Sequence, residues 1–239
     1  MMKYKILLLV FVLASCETET PKTEAYTILY DVTDPLIATP NVREIKDFAN
    51  ATNTDKTLLI RYLEISDVDF NPVSELVRKA SKGGLLSNAV NEKQEADRFQ
   101  NNLIQLLTRK DSIIPSSHSS IFGPIISEVK ILASLPEKTN KRIIVYSDLM
   151  ENSNWLSFYR TRDVLLLQRH PEKLIKSYLQ KAEGLENISK LSVHIVFIPK
   201  NNAENERYLR LQEVYTTVFD SLKIPISFSA NLTKAQDDL

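Results

Sequence analysis

Cysteine is almost absent from this chain. Cys16 is the only one, which excludes an intramolecular disulfide and any cluster of thiolate metal ligands. Glycine is nearly as scarce: there are four, with no spacing that would cradle a phosphate and no Gly-x-Ser-x-Gly turn to expose a nucleophilic serine. The three histidines, His118, His170 and His194, lie too far apart for a zinc pattern and read as surface or structural residues. Neither sign of charge is in excess, with 30 Lys+Arg against 30 Asp+Glu, so no basic footprint for nucleic acid exists. What is plentiful is apolar material, 43% of the residues beside 25% charged ones, a balance that supports a proper core and not disorder.

The N-terminus has its own logic. Lys3 and Lys5 precede the unbroken apolar run Ile6 to Leu13, and Leu13-Ala14-Ser15-Cys16 closes the segment with small residues. This is the three-part layout of a secretory signal, and its apolar run is too short for a permanent membrane span, which needs about 20 residues. The last four residues resemble the lipobox of bacterial lipoproteins. That resemblance implies cleavage after residue 15, attachment of acyl chains such as palmitate to Cys16, and a place in the cell envelope, on the outer membrane or at the cell surface. Residues 16–25 then read as a lipidated cysteine and flexible tether, because Glu17 to Glu24 lacks any aromatic or branched aliphatic side chain. Removing the signal leaves about 220 residues, and no repeat or linker divides residues 26–239.

From residue 26 onwards, strand-like and helix-like segments alternate. Tyr26-Thr27-Ile28-Leu29-Tyr30 is β-rich and stops at Asp31. Thr39-Pro40 predicts an N-cap and first turn for a helix running to about Ala51. Thr57 to Ile65 predicts a second strand, and Val73 to Lys79 an edge strand of alternating character. Asn91 to Arg109 and Ile121 to Leu135 carry apolar residues at helical spacing. Arg142 to Tyr146 and Ser192 to Ile198 are apolar runs, the pattern of strands buried on both faces of a parallel sheet. Pro171 to Ala182 and Glu204 to Leu222 predict helices, with a short last strand at Ile226 to Ser229. The fold class expected is α/β: one doubly wound, mostly parallel sheet with helices on both faces.

Open parallel sheets bind ligands beyond the carboxyl ends of their strands. Two such ends carry chemistry here: Asp31-Val32-Thr33-Asp34-Pro35, and Ser147-Asp148 with the residues that follow. The hydroxyl cluster Ser116 to Ser120 precedes the middle helix. Together they offer hard oxygen ligands suited to Mg²⁺ or Ca²⁺. Read without a ligand, Asp31 and Asp148 cap the helices that follow, and Asp34-Pro35 is an N-cap and first-turn pair.

An apolar strand followed by Asp-x-Thr, a hydroxyl before a middle helix, and an apolar strand ending in Asp together resemble the von Willebrand factor type A family. There these elements build a metal-ion-dependent adhesion site. The resemblance implies Asp31 and Thr33 as first-loop ligands, Ser119 or Ser120 as the middle hydroxyl, and Asp148 as the later aspartate. It also implies Mg²⁺ with an open coordination position, filled by a carboxylate from another envelope or surface protein, and no catalysis. The family has a further serine two residues beyond Thr33, where this chain has Pro35. That ligand is missing, so the site is degenerate, and Asp34 or a water is the replacement at hand. The alternative is a hydrolase resembling the haloacid-dehalogenase phosphatases, with Asp31 attacking phosphorus; the second acid expected at Thr33 and the paired acidic motif after the later strand are both missing. Trp155, Phe158 and Tyr159 remain as either a contact patch or packing residues.

Overall fold

Branched and aromatic runs in this chain become the strands of one sheet, and the amphipathic segments between them become the helices that cover it. The computed structural model describes residues 22–68, 71–81, 89–109 and 118–232. In chain order the elements are β1 (Thr23–Asp31), α1 (Val42–Phe48), β2 (Thr57–Ile65), β3 (Val73–Arg78), α2 (Ala89–Thr108), α3 (Phe122–Ala133), β4 (Asn140–Tyr146), α4 (Thr161–Arg169), α5 (Pro171–Lys181), β5 (Leu191–Val196), α6 (Asn202–Leu222) and β6 (Ile226–Ser229). The six strands lie in the order β3-β2-β1-β4-β5-β6. All neighbours are parallel except β2 and β3, which pair antiparallel. This is the doubly wound α/β class expected from the sequence.

The register divides the helices between the two faces. Tyr26 pairs with Arg142, and both touch Phe48 of α1, the first edge-on at 6.0 Å and the second through its guanidinium at 5.1 Å. Arg78 of β3 lies over Phe99 of α2 on that same face. Thr27, the next residue along β1, points the other way and donates its hydroxyl to Glu128 of α3. On that second face α6 joins α3, with Tyr215 against Phe122 at 5.9 Å. The central strands are therefore sealed on both sides: Ile28, Leu29, Ile143, Val145 and Ile195 are fully buried. Burial of such side chains stabilises by about 1.5–3 kcal/mol each, which is why this part of the sequence reads as apolar runs.

Three expectations need correction. The expected tether overlaps the first strand: β1 begins at Thr23, because Thr23 and Glu24 already pair with Thr57 and Leu58 of β2. A polar sequence can hold a strand when parallel neighbours satisfy its backbone. The cap of α1 is Asn41 and not Thr39, since the Asn41 side chain accepts the N–H groups of Arg43 and Glu44. Asp34-Pro35 starts no helix. It forms a turn closed by Ile37 N–H to the Asp34 carbonyl at 3.1 Å, with Asp34 Oδ1 accepting Leu36 N–H at 2.7 Å.

One element is additional to those expected. Helix α4 buries only Asp163 and Leu167, too little for an apolar stripe to stand out in the sequence. The expected lipidation residue, Cys16, lies outside the described residues, as do Ser116 and Ser117 of the hydroxyl cluster. Among the described residues no helix is long and apolar enough to cross a membrane.

Candidate functional site

The carboxyl ends of β1 and β4 are neighbours in the sheet, so the segments that follow them meet. A cavity of about 470 Å³ opens there, lined by Asp31, Thr33, Asp34, His118, Ser119, Asp148, Met150, Asn152 and Tyr159. Four of the five expected ligands, Asp31, Thr33, Ser119 and Asp148, share this lining. Ser120, the fifth, does not. Its Oγ sits where a Cβ on Gly123 would come within 3.0 Å of it, tucked against the first turn of α3. Of the two candidates for the middle hydroxyl, Ser119 is the one at the cavity.

Asp31 is held on three sides. Its Oδ1 accepts the Thr33 hydroxyl at 2.6 Å and the Thr33 N–H at 3.0 Å, and its Oδ2 accepts the Ser147 hydroxyl at 3.1 Å. Neither aspartate caps a helix: Asp148 Oδ1 accepts the N–H of Met150 within its own loop at 2.9 Å. Met150 follows Leu149, a buried leucine with φ of +64°. That is a left-handed conformation which costs a non-glycine residue about 1–2 kcal/mol. The hydrogen bond from Leu149 N–H to Ser147 Oγ at 3.0 Å helps enforce it.

The electrostatics of the cavity favour a cation. Burial pushes the Asp148 carboxyl up to about 7, and the nearby charges of Asp31 and Asp34 push the same way. Burial raises Asp31 too, against the hydrogen bonds from Thr33 and Ser147. Crowded carboxylates of this kind cost free energy when ionised together, and a bound cation removes that cost. The charge of Arg207 opposes the rise at Asp148, but no lysine or arginine is among the lining residues, so a phosphate entering here would meet carboxylates. Among the described residues no three His, Cys, Asp or Glu side chains form a group able to hold an ion by themselves. A metal here therefore needs the hydroxyls of Thr33 and Ser119 beside the two aspartates, with water completing the shell, a hard-oxygen set that fits Mg²⁺ or Ca²⁺.

Several residues at the site were not singled out in the sequence. Asn152 exchanges two backbone hydrogen bonds with Ser119, at 3.0 and 2.9 Å, and the Ser157 hydroxyl donates to its side chain at 2.7 Å. His118 belongs to the cavity wall; a neighbouring serine run was its only signal. The aromatic trio is split. Phe158 is buried, and Trp155 packs edge-on against Tyr178 at 5.3 Å with Lys181 over its ring. Tyr159 is 67% exposed at the cavity rim. The loop that carries it is fixed by Asp163, which accepts the Ser157 N–H at 2.9 Å and pairs with Arg160 and Arg162.

Fold and cavity together define the class: a doubly wound α/β protein with an acidic, hydroxyl-lined cleft at the carboxyl ends of its two central strands. No family model matches the chain, and no curated protein matches it either. Among solved structures it is similar to the crystal structure of conserved hypothetical protein BatB from Bacteroides thetaiotaomicron. The two share 14% identity with a TM-score of 0.45, over 90% of this chain and 94% of that one.

Proposed function

We propose that this chain is a binding module of the von Willebrand factor type A kind, tethered to the cell envelope through a lipidated Cys16, that holds another envelope or surface protein through a divalent cation. The observation that carries the reading is the meeting of Asp31 and Asp148 in one cavity with the Thr33 and Ser119 hydroxyls. Those four side chains would hold Mg²⁺, and Asp34 stands beside them where Pro35 provides no side-chain oxygen. When bound, the ion would supply an open position for a partner's carboxylate, a charge-assisted contact in which no covalent bond changes. Phosphate chemistry at Asp31 fits less well, because the cavity's carboxylates would repel the substrate.

A lipid tether ahead of Lys22 would suit this use of the site. β1 runs from Thr23 to Asp31, a length of about 30 Å at the usual rise per residue. A lipid anchor ahead of Lys22 would therefore leave the cavity at the far edge of the sheet, facing away from the membrane.

Two experiments test the reading. The full-length chain in detergent is heated with and without Mg²⁺; stabilisation by the ion that disappears in the variant carrying both Asp31→Ala and Asp148→Ala is the expected result. Equal stabilisation of that variant would remove the metal site. Separately, bacterial cells expressing the chain are fed an alkyne-bearing palmitate. The wild type should carry the label and sediment with membranes, whereas Cys16→Ser should lose both properties; continued labelling of Cys16→Ser would remove the anchor.

A further inference from the structure

Glu151 follows Asp148 by one short turn of chain and is completely buried. Its position is unusual for a carboxylate. Oε2 accepts the N–H of Ile121 at 2.9 Å and the N–H of Phe122 at 3.1 Å. These donors stand at the start of α3, whose N-cap residue is Ile121 and has no side-chain oxygen to offer. A helix start normally has its free N–H groups satisfied by a local Ser, Thr, Asp or Asn. Here the oxygen comes from another loop, the one that carries Asp148.

The consequence is geometric. Ser119 precedes α3 by three residues, and its distance from Asp148 depends on how the two loops are joined. They are joined twice: by the paired backbone hydrogen bonds between Ser119 and Asn152, and by the Glu151 carboxylate on the first donors of α3. Burial pushes Glu151 up, while the N–H groups of Phe122 and Ile121 oppose that push.

We infer that Glu151 is a positioning residue: it clamps the start of α3 to the Asp148 loop and so sets the Ser119 hydroxyl against the two aspartates. The inference rests on the cation-site reading for its functional meaning, but the clamp itself can be measured independently. Glu151 makes no contact with the ion. It acts through the placement of Ser119.

Three variants separate reach from charge. Glu151→Gln keeps an oxygen at the same reach and loses the charge, Glu151→Asp keeps the charge and loses reach, and Glu151→Ala loses both. Each full-length protein is titrated with Mn²⁺ by calorimetry, and amide hydrogen exchange is followed at Ser119 and Asn152. Wild type and Glu151→Gln should protect both amides and bind Mn²⁺ within about threefold of each other, while Glu151→Asp and Glu151→Ala should lose about tenfold or more in both protection and affinity. Protection in the central sheet, at Ile144 and Ile195, should persist in Glu151→Asp. Should Glu151→Ala not fold, the contrast between Gln and Asp decides the matter alone. Unchanged exchange at Ser119 and Asn152 in Glu151→Asp, or a Gln variant as impaired as the Asp one, would overturn the clamp. Absence of Mn²⁺ binding in the wild type would instead overturn the cation reading, and the exchange measurements would still decide the role of Glu151.

Discussion

The Ser147 hydroxyl donates to Asp31 Oδ2 at 3.1 Å across 116 residues of chain, and Ser147 Oγ in turn accepts the N–H of Leu149 at 3.0 Å. One buried serine thus ties the end of β1 to the loop after β4 and holds that loop's strained turn. Ser147→Ala leaves a buried N–H without its acceptor and a buried carboxylate with one donor fewer. Its expected cost is about 1–3 kcal/mol, the usual penalty for unsatisfied buried groups, read as a lower urea midpoint with an unchanged slope. Ser147→Thr, which keeps the hydroxyl, should lose less.

The Asp148 carboxyl should govern part of the pH dependence of stability. Burial raises it from an ordinary 3.8 to about 7, so between those two values the folded chain holds more protons than the unfolded one. Stability without metal then falls as pH rises through that window and levels off above it. The slope should be smaller in Asp148→Asn, which has no proton to lose there. On the proposed cation reading Mg²⁺ would take the proton's place, so its stabilising effect should grow over the same window. Thermal melts across roughly pH 4.5–8.5, with and without the ion, measure both. Identical slopes for wild type and Asp148→Asn would show that this carboxyl is not the source.

Leu149 sets two effects against each other. Its φ of +64° favours glycine, yet its side chain is fully buried. Truncating a buried leucine costs about 2–5 kcal/mol, more than the strain of about 1–2 kcal/mol that glycine relieves. Both Leu149→Ala and Leu149→Gly should therefore destabilise, with the glycine variant the more stable of the two by about 1 kcal/mol. The ordinary order in helices and strands is the reverse, which makes the comparison diagnostic. Chemical denaturation of both variants supplies the test.

On the α3 face of the sheet, Glu128 is 1% exposed. It accepts from Arg61 Nε at 2.7 Å and Nη2 at 3.0 Å, and from Thr27 Oγ1 at 2.9 Å. Glu128→Ala leaves the largely buried Arg61 with only the half-exposed Glu75 as its ion-pair partner and takes the acceptor from the buried Thr27 hydroxyl. It should cost about 1–3 kcal/mol, whereas replacing both Arg61 and Glu128 with leucine should recover most of that loss. Urea denaturation of the single and double variants makes the comparison. A double variant no more stable than Glu128→Ala would show that the pair itself contributes net stability.

The strands of the interior were legible because their environment imposes one pattern. Ile143-Ile144-Val145 is apolar on every residue, and Val193, Ile195 and Val196 come close to that around His194; only a strand covered on both faces needs such a run. The spans of β2, Thr57–Ile65, and β6, Ile226–Ser229, match the expectation as well, each being a short β-rich stretch bounded by turn residues. Helix starts were harder. Asn41 and Thr39 are both good caps by type, and only the position of the Arg43 and Glu44 N–H groups distinguishes them. The buried Asp163 of α4 gave no apolar stripe to read. At the site, Asp31, Thr33 and Asp148 could be proposed because a strand end followed by a carboxylate is a local signal. Glu151 could not, because nothing near it in the chain says that its oxygen will meet donors at residues 121 and 122.

The sequence by itself determined the α/β alternation, the apolar central strands, and the positions of carboxylates at strand ends, since each follows from periodicity or from neighbours in the chain. Tertiary structure decided which of those carboxylates meet, that Ser119 and not Ser120 turns toward them, and that a distant glutamate caps α3. The physical reason is that hydrogen bonds between loops depend on how strands are ordered in the sheet. Here β1 and β4 lie side by side, and that adjacency is a property of the packed whole.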